Sequence, residues 1–185
     1  MLYTRKGDNG TTKTFGCDQR ISKSSIVAEA LGVLDETNSF LGLVRAKTEG
    51  MSFEIAGTGM KFSKIILEIQ QNLFIVQAEV AGSTLAITKE KITKVENIVD
   101  GIEKVLPPIK SFFISGATET GAIFDFARTL IRKAERRVIA AKEEGKVKVS
   151  DDTLAYLNRL SSLLYALARI SSHQEGVEEL KPDYK

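Results

Sequence analysis

The sequence predicts an all-α protein, a five-helix bundle. Five stretches carry apolar residues at helical spacings of three and four, none reads convincingly as a strand, and the periodic segments are separated by glycine-, serine- or proline-bearing connections. The 185 residues suffice for one domain with a sizeable core, and 1–185 is expected to form a single bundle. Residues 1–23 are expected to be a mobile N-terminal loop and 173–185 a polar tail.

Composition excludes several classes of chemistry. Hydrophobic residues make up 43% and charged residues 27%, as in ordinary globular proteins. The 26 basic and 24 acidic residues leave a net charge of +2, too balanced for nonspecific nucleic-acid binding, so any anion site must be local. With Cys17 and His173 the sole residues of their types, one chain assembles neither a disulfide nor a Cys/His zinc site. His173 reads as a surface or capping histidine. No apolar run approaches a bilayer span and the start M-L-Y-T-R-K-G-D lacks a signal-peptide core, so no membrane partner and a cytoplasmic location are expected.

Taken in order, the chain begins with Y-T-R-K-G-D-N-G-T-T-K-T-F-G, residues 3–16, which reads as a loop. Glycines let backbone N–H groups approach an anion, and hydroxyl and ammonium groups add donors, although no G-x-x-x-x-G-K-[ST] pattern occurs. Arg20 and Lys23 extend the basic character. Serines 22, 24 and 25 offer caps for a first helix reaching about Lys47, with Val27, Ala30, Leu31, Leu34, Leu41 and Val44 on its apolar arc. Asn38 lies within that arc and Asp35 at its edge, so each needs a polar partner. Residues 48–59 read as a connection. A second helix from Met60 to about Ala81 aligns Phe62, Ile66, Ile69, Leu73, Val76 and Val80, with Gln70, Gln71 and Asn72 off its seam. A third, capped by Thr88, aligns Ile92, Val95, Val99 and Ile102 and is terminated by Pro107-Pro108. The loop K-S-F-F-I-S-G-A-T-E-T then exposes Phe112, Phe113 and Ile114, either to plug the end of the bundle or to line a large flat ligand.

The fourth helix, Gly121 to Glu144, carries Ala127, Ile131, Ala134, Val138 and Ala141 on one face. Beside that seam Arg128, Arg132, Glu135 and Arg136 fall within an arc of roughly 100°. Like charges at four-residue spacing cost an isolated helix roughly 0.2–0.5 kcal/mol per pair. The stripe is therefore either a solvated face with an Arg132–Glu135 pair or a polyanion site, for which planar, permanently charged guanidinium groups are suited. A turn at E-E-G-K-V-K-V precedes the last helix, capped by Ser150 with an acidic first turn. Its seam is Leu154, Leu157, Ser161, Leu164 and Ala168, with Asn158 and Arg159 beside it.

Four stretches together resemble the PduO-type ATP:corrinoid adenosyltransferases: Y-T-R-K-G-D-N-G at 3–10, L-D-E-T-N-S-F-L-G at 34–42, A-R-T-L-I-R-K-A-E-R-R at 127–137 and Y-L-N-R-L-S at 156–161. The resemblance implies a homotrimer that binds ATP and a corrinoid between subunits. It makes residues 1–23 the nucleotide-binding loop, with Thr4, Arg5, Lys6, Gly7, Asp8, Gly10, Thr12, Lys13 and Lys23 around the triphosphate. Arg132, Lys133, Ala134, Glu135, Arg136 and Asn158 would complete the ATP site. It implies that Arg128 pairs with Asp35 of a neighbouring subunit and that Phe112 borders the corrinoid on its lower face. Lys6, Lys133, Ser115 and Asp125 depart from the family's usual threonine, arginine, proline and histidine, the last two on the corrinoid side.

The implied reaction moves the 5′-deoxyadenosyl group of ATP to cobalt(I) of cobalamin or a related corrinoid, releasing triphosphate. The reduced metal of the substrate is itself the nucleophile, so no protein base is needed. Arg132, Arg128 and Glu135 would carry the catalytic electrostatics and orientation, with a magnesium ion that no protein side chain is assigned to hold. A cobalt(II) reductase and an adenosylcobalamin-dependent enzyme are the implied protein partners. The alternative is a non-catalytic ATP-sensing or corrinoid-carrier bundle, supported by Ser115 and Asp125, and a purely structural trimer would leave the N-terminal loop without a role.

Overall fold

The computed structural model describes residue 3 and residues 5–14 and 20–185. Thr4 and Cys17 lie outside the described residues. Two short hairpins and five helices follow in the order β1 (Thr11–Lys13), β2 (Arg20–Ser22), α1 (Ile26–Lys47), β3 (Ser52–Ile55), β4 (Thr58–Lys61), α2 (Phe62–Val80), α3 (Lys89–Glu103), α4 (Glu119–Glu143) and α5 (Asp151–Gln174). α4 packs against α1 and α5, α1 packs against α2, and α5 against α3. The expected five-helix bundle is observed.

The seams of α2 and α4 turn fully inward as their periodicity requires, whereas Val27 and Leu31 of α1, Ile92 and Val99 of α3 and Leu154 of α5 are only partly buried. On α4, Ala127, Ile131, Ala134, Val138 and Ala141 are completely buried, and on α2 so are Phe62, Ile66, Leu73 and Val76. Caps set the boundaries. Ser25 Oγ accepts from Ala28 N at 3.3 Å, Thr118 Oγ1 from Gly121 N at 3.0 Å and Ser150 Oγ from Thr153 N at 3.2 Å. α4 thus starts two residues before Gly121, on the cap supplied by Thr118. It ends in a Schellman motif around Gly145, whose φ is +67°, with Gly145 N bonded to Lys142 O and Lys146 N to Ala141 O. Thr88 occupies the cap position of α3 without capping a backbone N–H; its hydroxyl serves the Glu90 carboxylate instead. α3 stops at Glu103, ahead of Pro107, because a turn through residue 106 intervenes.

The two hairpins depart from the all-helical expectation. In each, three or four residues pair antiparallel, too few for an alternating pattern to emerge from loop-like composition. β3 and β4 are joined through Ala56 and Gly57, both with positive φ (50° and 78°), the signature of a tight hairpin turn. That hairpin shortens α2, which begins at Phe62 instead of Met60. It also plugs the bundle. Phe53 is buried against Phe62 with ring centroids 4.7 Å apart, and Phe62 lies 5.5 Å from Phe124. The aromatics of the 109–117 loop are therefore not needed as a plug, and Phe112 is 79% exposed.

Buried polar groups tie the helices together. Asn72, expected off the α2 seam, is buried and donates to Tyr156 Oη at 2.9 Å while accepting from Lys91 Nζ at 2.6 Å, joining α2, α5 and α3. Burial raises the Tyr156 phenol well above its ordinary value, with the Asn72 bond opposing, so it stays protonated. Asn38 is buried as its place in the α1 arc requires; its backbone carbonyl accepts from Gln70 Nε2 at 3.0 Å, while its Oδ1 has no partner among the described residues. Glu79 on α2 accepts from Ser150 N at 2.7 Å and from the Thr153 hydroxyl, so a buried carboxylate holds the start of α5. Glu79→Ala should lower stability by about 2 kcal/mol through the stranded N–H and hydroxyl, and Glu79→Gln by less, as measured by denaturant unfolding.

Candidate functional site

The arginine stripe of α4 separates into groups that the sequence alone places side by side. Arg137 turns toward α1, where its Nε lies 3.5 Å from Glu29, and Lys133 Nζ lies 2.9 Å from Glu36. Ala134 is wholly buried and presents no side chain to a ligand. Arg132 and Arg136 are exposed, and among the described residues neither has an ion pair or hydrogen bond. Glu135 does not pair with Arg132. It accepts from Asn158 Nδ2 at 3.0 Å, Asn158 Oδ1 accepts from Arg159 at 3.0 Å, and Arg159 Nε bonds Glu96 at 2.9 Å. This chain across α4, α5 and α3 fixes Glu135 and Asn158 as one rim of a face whose two guanidinium groups are uncompensated.

Arg128, one turn before Arg132, belongs to a different environment. A cavity of about 560 Å³ lies between the 109–117 loop, α4 and α5, with Phe112, Ser115, Asp125, Arg128 and Tyr165 in its walls. Arg128 Nε is 3.3 Å from Asp125 Oδ1, and its guanidinium carbon lies 5.9 Å from the centre of the Tyr165 ring. Burial raises the Tyr165 phenol above its ordinary value, so it too stays protonated at neutral pH. Ser111 Oγ is buried beside the cavity with no partner among the described residues. Because four residues of helix rise about 6 Å, Arg132 and Arg136 lead step by step away from this cavity. An anion on those arginines would therefore have one end at the cavity mouth.

The N-terminal segment forms a tight turn. Gly10 N bonds Gly7 O at 3.2 Å, Lys23 N bonds Gly10 O at 2.9 Å, and Arg5 adopts a φ of 57°. Arg20 pins the turn from behind, donating to Thr11 Oγ1 and Thr11 O at 2.7 Å each and to the Lys6 carbonyl. It is thus a structural donor more than an open anion ligand. A Cβ on Gly7 would sit 3.2 Å from Lys23 Nζ and 3.3 Å from Thr11 O, so the missing side chain is what admits the ammonium into the turn.

Among the described residues, one chain does not bring the two halves together. Thr12, Lys13 and Thr14 line a cavity with Ala28, Leu31 and Asp35 of α1 and Phe74 and Gln77 of α2, and no described residue of α4 borders it. Asp35 is exposed there, and within the chain the partner of Arg128 is Asp125. Among the described residues, no group of three or more His, Cys, Asp or Glu side chains is placed to hold a metal ion. A magnesium ion would have to take most of its oxygen ligands from a bound triphosphate and water. Sequence reasoning missed Tyr165, Arg169 and Glu179 as neighbours of the Phe112 cavity. The available signal was Arg169, a charge in the otherwise apolar run L-L-Y-A-L-A-R-I that had to find a partner.

Comparison with known proteins places the chain among sequence and structural relatives. The family model described as "Cobalamin adenosyltransferase" matches residues 2–171. Corrinoid adenosyltransferase PduO of Citrobacter freundii is 36% identical over 93% of this chain, which spans about half (50%) of that relative's length. The corrinoid adenosyltransferase of Bacillus subtilis is 32% identical over 97% of this chain and 91% of its own. A solved variant of the PduO-type ATP:corrinoid adenosyltransferase of Lactobacillus reuteri, complexed with cobalamin and ATP, superposes with a TM-score of 0.87 at 26% identity, covering 100% of this chain and 97% of that one. If the N-terminal turn is a phosphate cradle, Gly7→Ala should weaken ATP binding about tenfold in calorimetric titration while leaving the melting temperature unchanged.

Proposed function

Because this chain belongs to the cobalamin adenosyltransferase family, we propose that it transfers the 5′-deoxyadenosyl group of ATP to the cobalt of a reduced cobalamin or related corrinoid, releasing triphosphate. The observation that carries this reading is the continuity of the open arginine face with the Phe112 cavity. Among the described residues Arg132 and Arg136 have no partner and are open to a polyphosphate, and Arg128, one turn away, is already a wall of the cavity that would take the corrinoid.

In this reading the protein acts by position and charge. Arg132 and Arg136 stabilise the charge that grows on triphosphate, aided by Lys23 and backbone N–H groups of the Gly7 turn, and a magnesium ion, if bound, would add to that neutralisation. Glu135 and Asn158, locked to each other, orient the nucleoside and do not remove a proton. Lys133, spent on Glu36, adds positive potential without a direct contact. Phe112 offers no ligand atom to cobalt and would exclude water from the lower face. Removing that axial ligand favours the four-coordinate cobalt(II) ion and raises its potential.

A homotrimer fits this division of labour, because Thr12, Lys13 and Thr14 lie beside Asp35 on the α1/α2 side while the arginines lie on α4. A second copy's α4 laid against that side would close the ATP site, and its Arg128 would face Asp35. Asp125 then competes with Asp35 for the same guanidinium, a feature of this chain's own residues. A reductase that supplies the electron and an enzyme that consumes the product are the partners such a reaction needs, and a cytoplasmic location suits a step that consumes ATP and a reduced metal.

With ATP, magnesium and chemically reduced cobalamin, the wild type should convert cobalt(I) to light-sensitive adenosylcobalamin, followed by absorption. Arg132→Ala should lose about 100- to 1,000-fold in kcat, the effect of deleting one transition-state donor. No transfer by the wild type despite ATP binding would favour a sensor or carrier. Phe112→Ala should spare transfer from cobalt(I) but slow turnover begun from protein-bound cobalt(II); equal rates for variant and wild type would remove Phe112 from the reductive step.

A further inference from the structure

The C-terminal segment beyond α5 is expected from sequence to be a loose polar tail, yet past the residues that cap α5 it is attached to the structure at two further points. Arg169 of α5 is 5% exposed, and its Nε bonds both carboxylate oxygens of Glu179, at 3.2 and 2.9 Å. Ile114 N donates to Leu180 O at 2.8 Å. The tail buries little apolar surface in return: Val177, Leu180 and Tyr184 are 40%, 68% and 83% exposed. Hydrophobic burial therefore does not hold it in place; beyond the backbone bonds of residues 175–177 that cap α5, the Arg169–Glu179 pair and the Ile114–Leu180 bond do.

Both attachments lead to the segment that carries Phe112. Besides Glu179, the Arg169 guanidinium donates to Pro107 O at 3.3 Å and lies 5.1 Å from the centre of the Phe113 ring. Ile114 is two residues beyond Phe112. A single buried cation thus grips the start of the loop, the residue next to Phe112 and the tail, while the tail's backbone grips the loop on its other side. Arg169 and Glu179 also contribute to the wall of the Phe112 cavity. A lone buried arginine would be costly, so the loop's geometry depends on Glu179 being there to neutralise it.

We propose that Arg169 and Glu179 form a clasp that positions the Phe112 loop, making Glu179 a positioning residue for the corrinoid side of the site. This rests on the reading of the cavity as the corrinoid site. The clasp acts on Phe112 through Phe113 and the Ile114–Leu180 bond, and it leaves the ATP side, on Arg132, Arg136 and the N-terminal turn, untouched.

The test uses the full chain with Glu179→Ala and with Glu179→Gln, which keeps an acceptor of similar size. Amide hydrogen exchange at Ile114 should quicken in Glu179→Ala, the dissociation constant for cob(II)alamin in the presence of ATP should rise about tenfold, and that for ATP should stay within about twofold. The absorption signature of four-coordinate cobalt(II) should shrink in the same variant, and Glu179→Gln should lie between it and the wild type in each readout. Unchanged cob(II)alamin affinity and spectrum in Glu179→Ala would overturn the clasp. So would equal weakening of ATP and cob(II)alamin together with a lower melting temperature, which marks a general structural role. If the wild type itself binds ATP but no cob(II)alamin, the corrinoid reading of the cavity falls and the clasp's role falls with it; normal wild-type binding with indifferent variants removes the clasp alone.

Discussion

The rest of the structure depends on the small-residue seam of α4. Ala127, Ala134 and Ala141 alternate with Ile131 and Val138 along one completely buried face, between α1 on one side and α5 on the other. Alanines at those positions allow close helix approach, and Gly121 extends the same theme at the N-terminal end, where an added Cβ would meet Ser172 Oγ at 2.6 Å. A helix gripped on two sides cannot rotate, so the polar residues flanking its seam are presented at fixed angles. The three arginines at four-residue spacing are then held in a repulsive register by packing energy. Such preorganised charge is what a site that stabilises growing negative charge requires.

Neutralisation along α4 is selective. Lys133 and Arg137 find carboxylates on α1, and Arg128 finds Asp125 within its own helix, whereas Arg132 and Arg136 find none among the described residues. The carboxylate that lies between these two in sequence, Glu135, is drawn to Asn158 and the Arg159–Glu96 pair behind it. The helix therefore keeps two uncompensated guanidinium groups in the middle of an otherwise paired surface. Their repulsion is a standing cost that a bound polyanion would relieve, so ligand binding and local stability are coupled.

At the two ends of the bundle different devices do the closing. The β3–β4 hairpin plugs the end near the start of α4 with Phe53, freeing the 109–117 loop to present Phe112 outward over a cavity. The β1–β2 hairpin turns the basic N-terminal stretch back on itself, with Arg20 as its pin and Gly7 as the gap that admits Lys23. The β1–β2 hairpin adds no residue to the buried core and shapes a surface, whereas the β3–β4 hairpin contributes Phe53 to it. The scaffold is helical, and the connections shape the surfaces on either side of the arginine face of α4.

The sequence by itself determined the five helices and the inward faces of α2 and α4. Periodicity over four or more turns is a strong signal, and the seams of α2 and α4 are buried as their spacing requires. The resemblance of four short motifs was enough to name the family that the chain belongs to. Only the tertiary structure decided which charge meets which. Glu135 sits three residues from Arg132 yet bonds Asn158, and Arg169 bonds Glu179 across the end of α5. Asn72 enters the core because Tyr156 and Lys91 arrive from two other helices. The physical reason is range. Helical periodicity is written in neighbours three and four residues apart, whereas a polar side chain settles on whichever partner the packed helices bring within about 3 Å, and that depends on the whole fold.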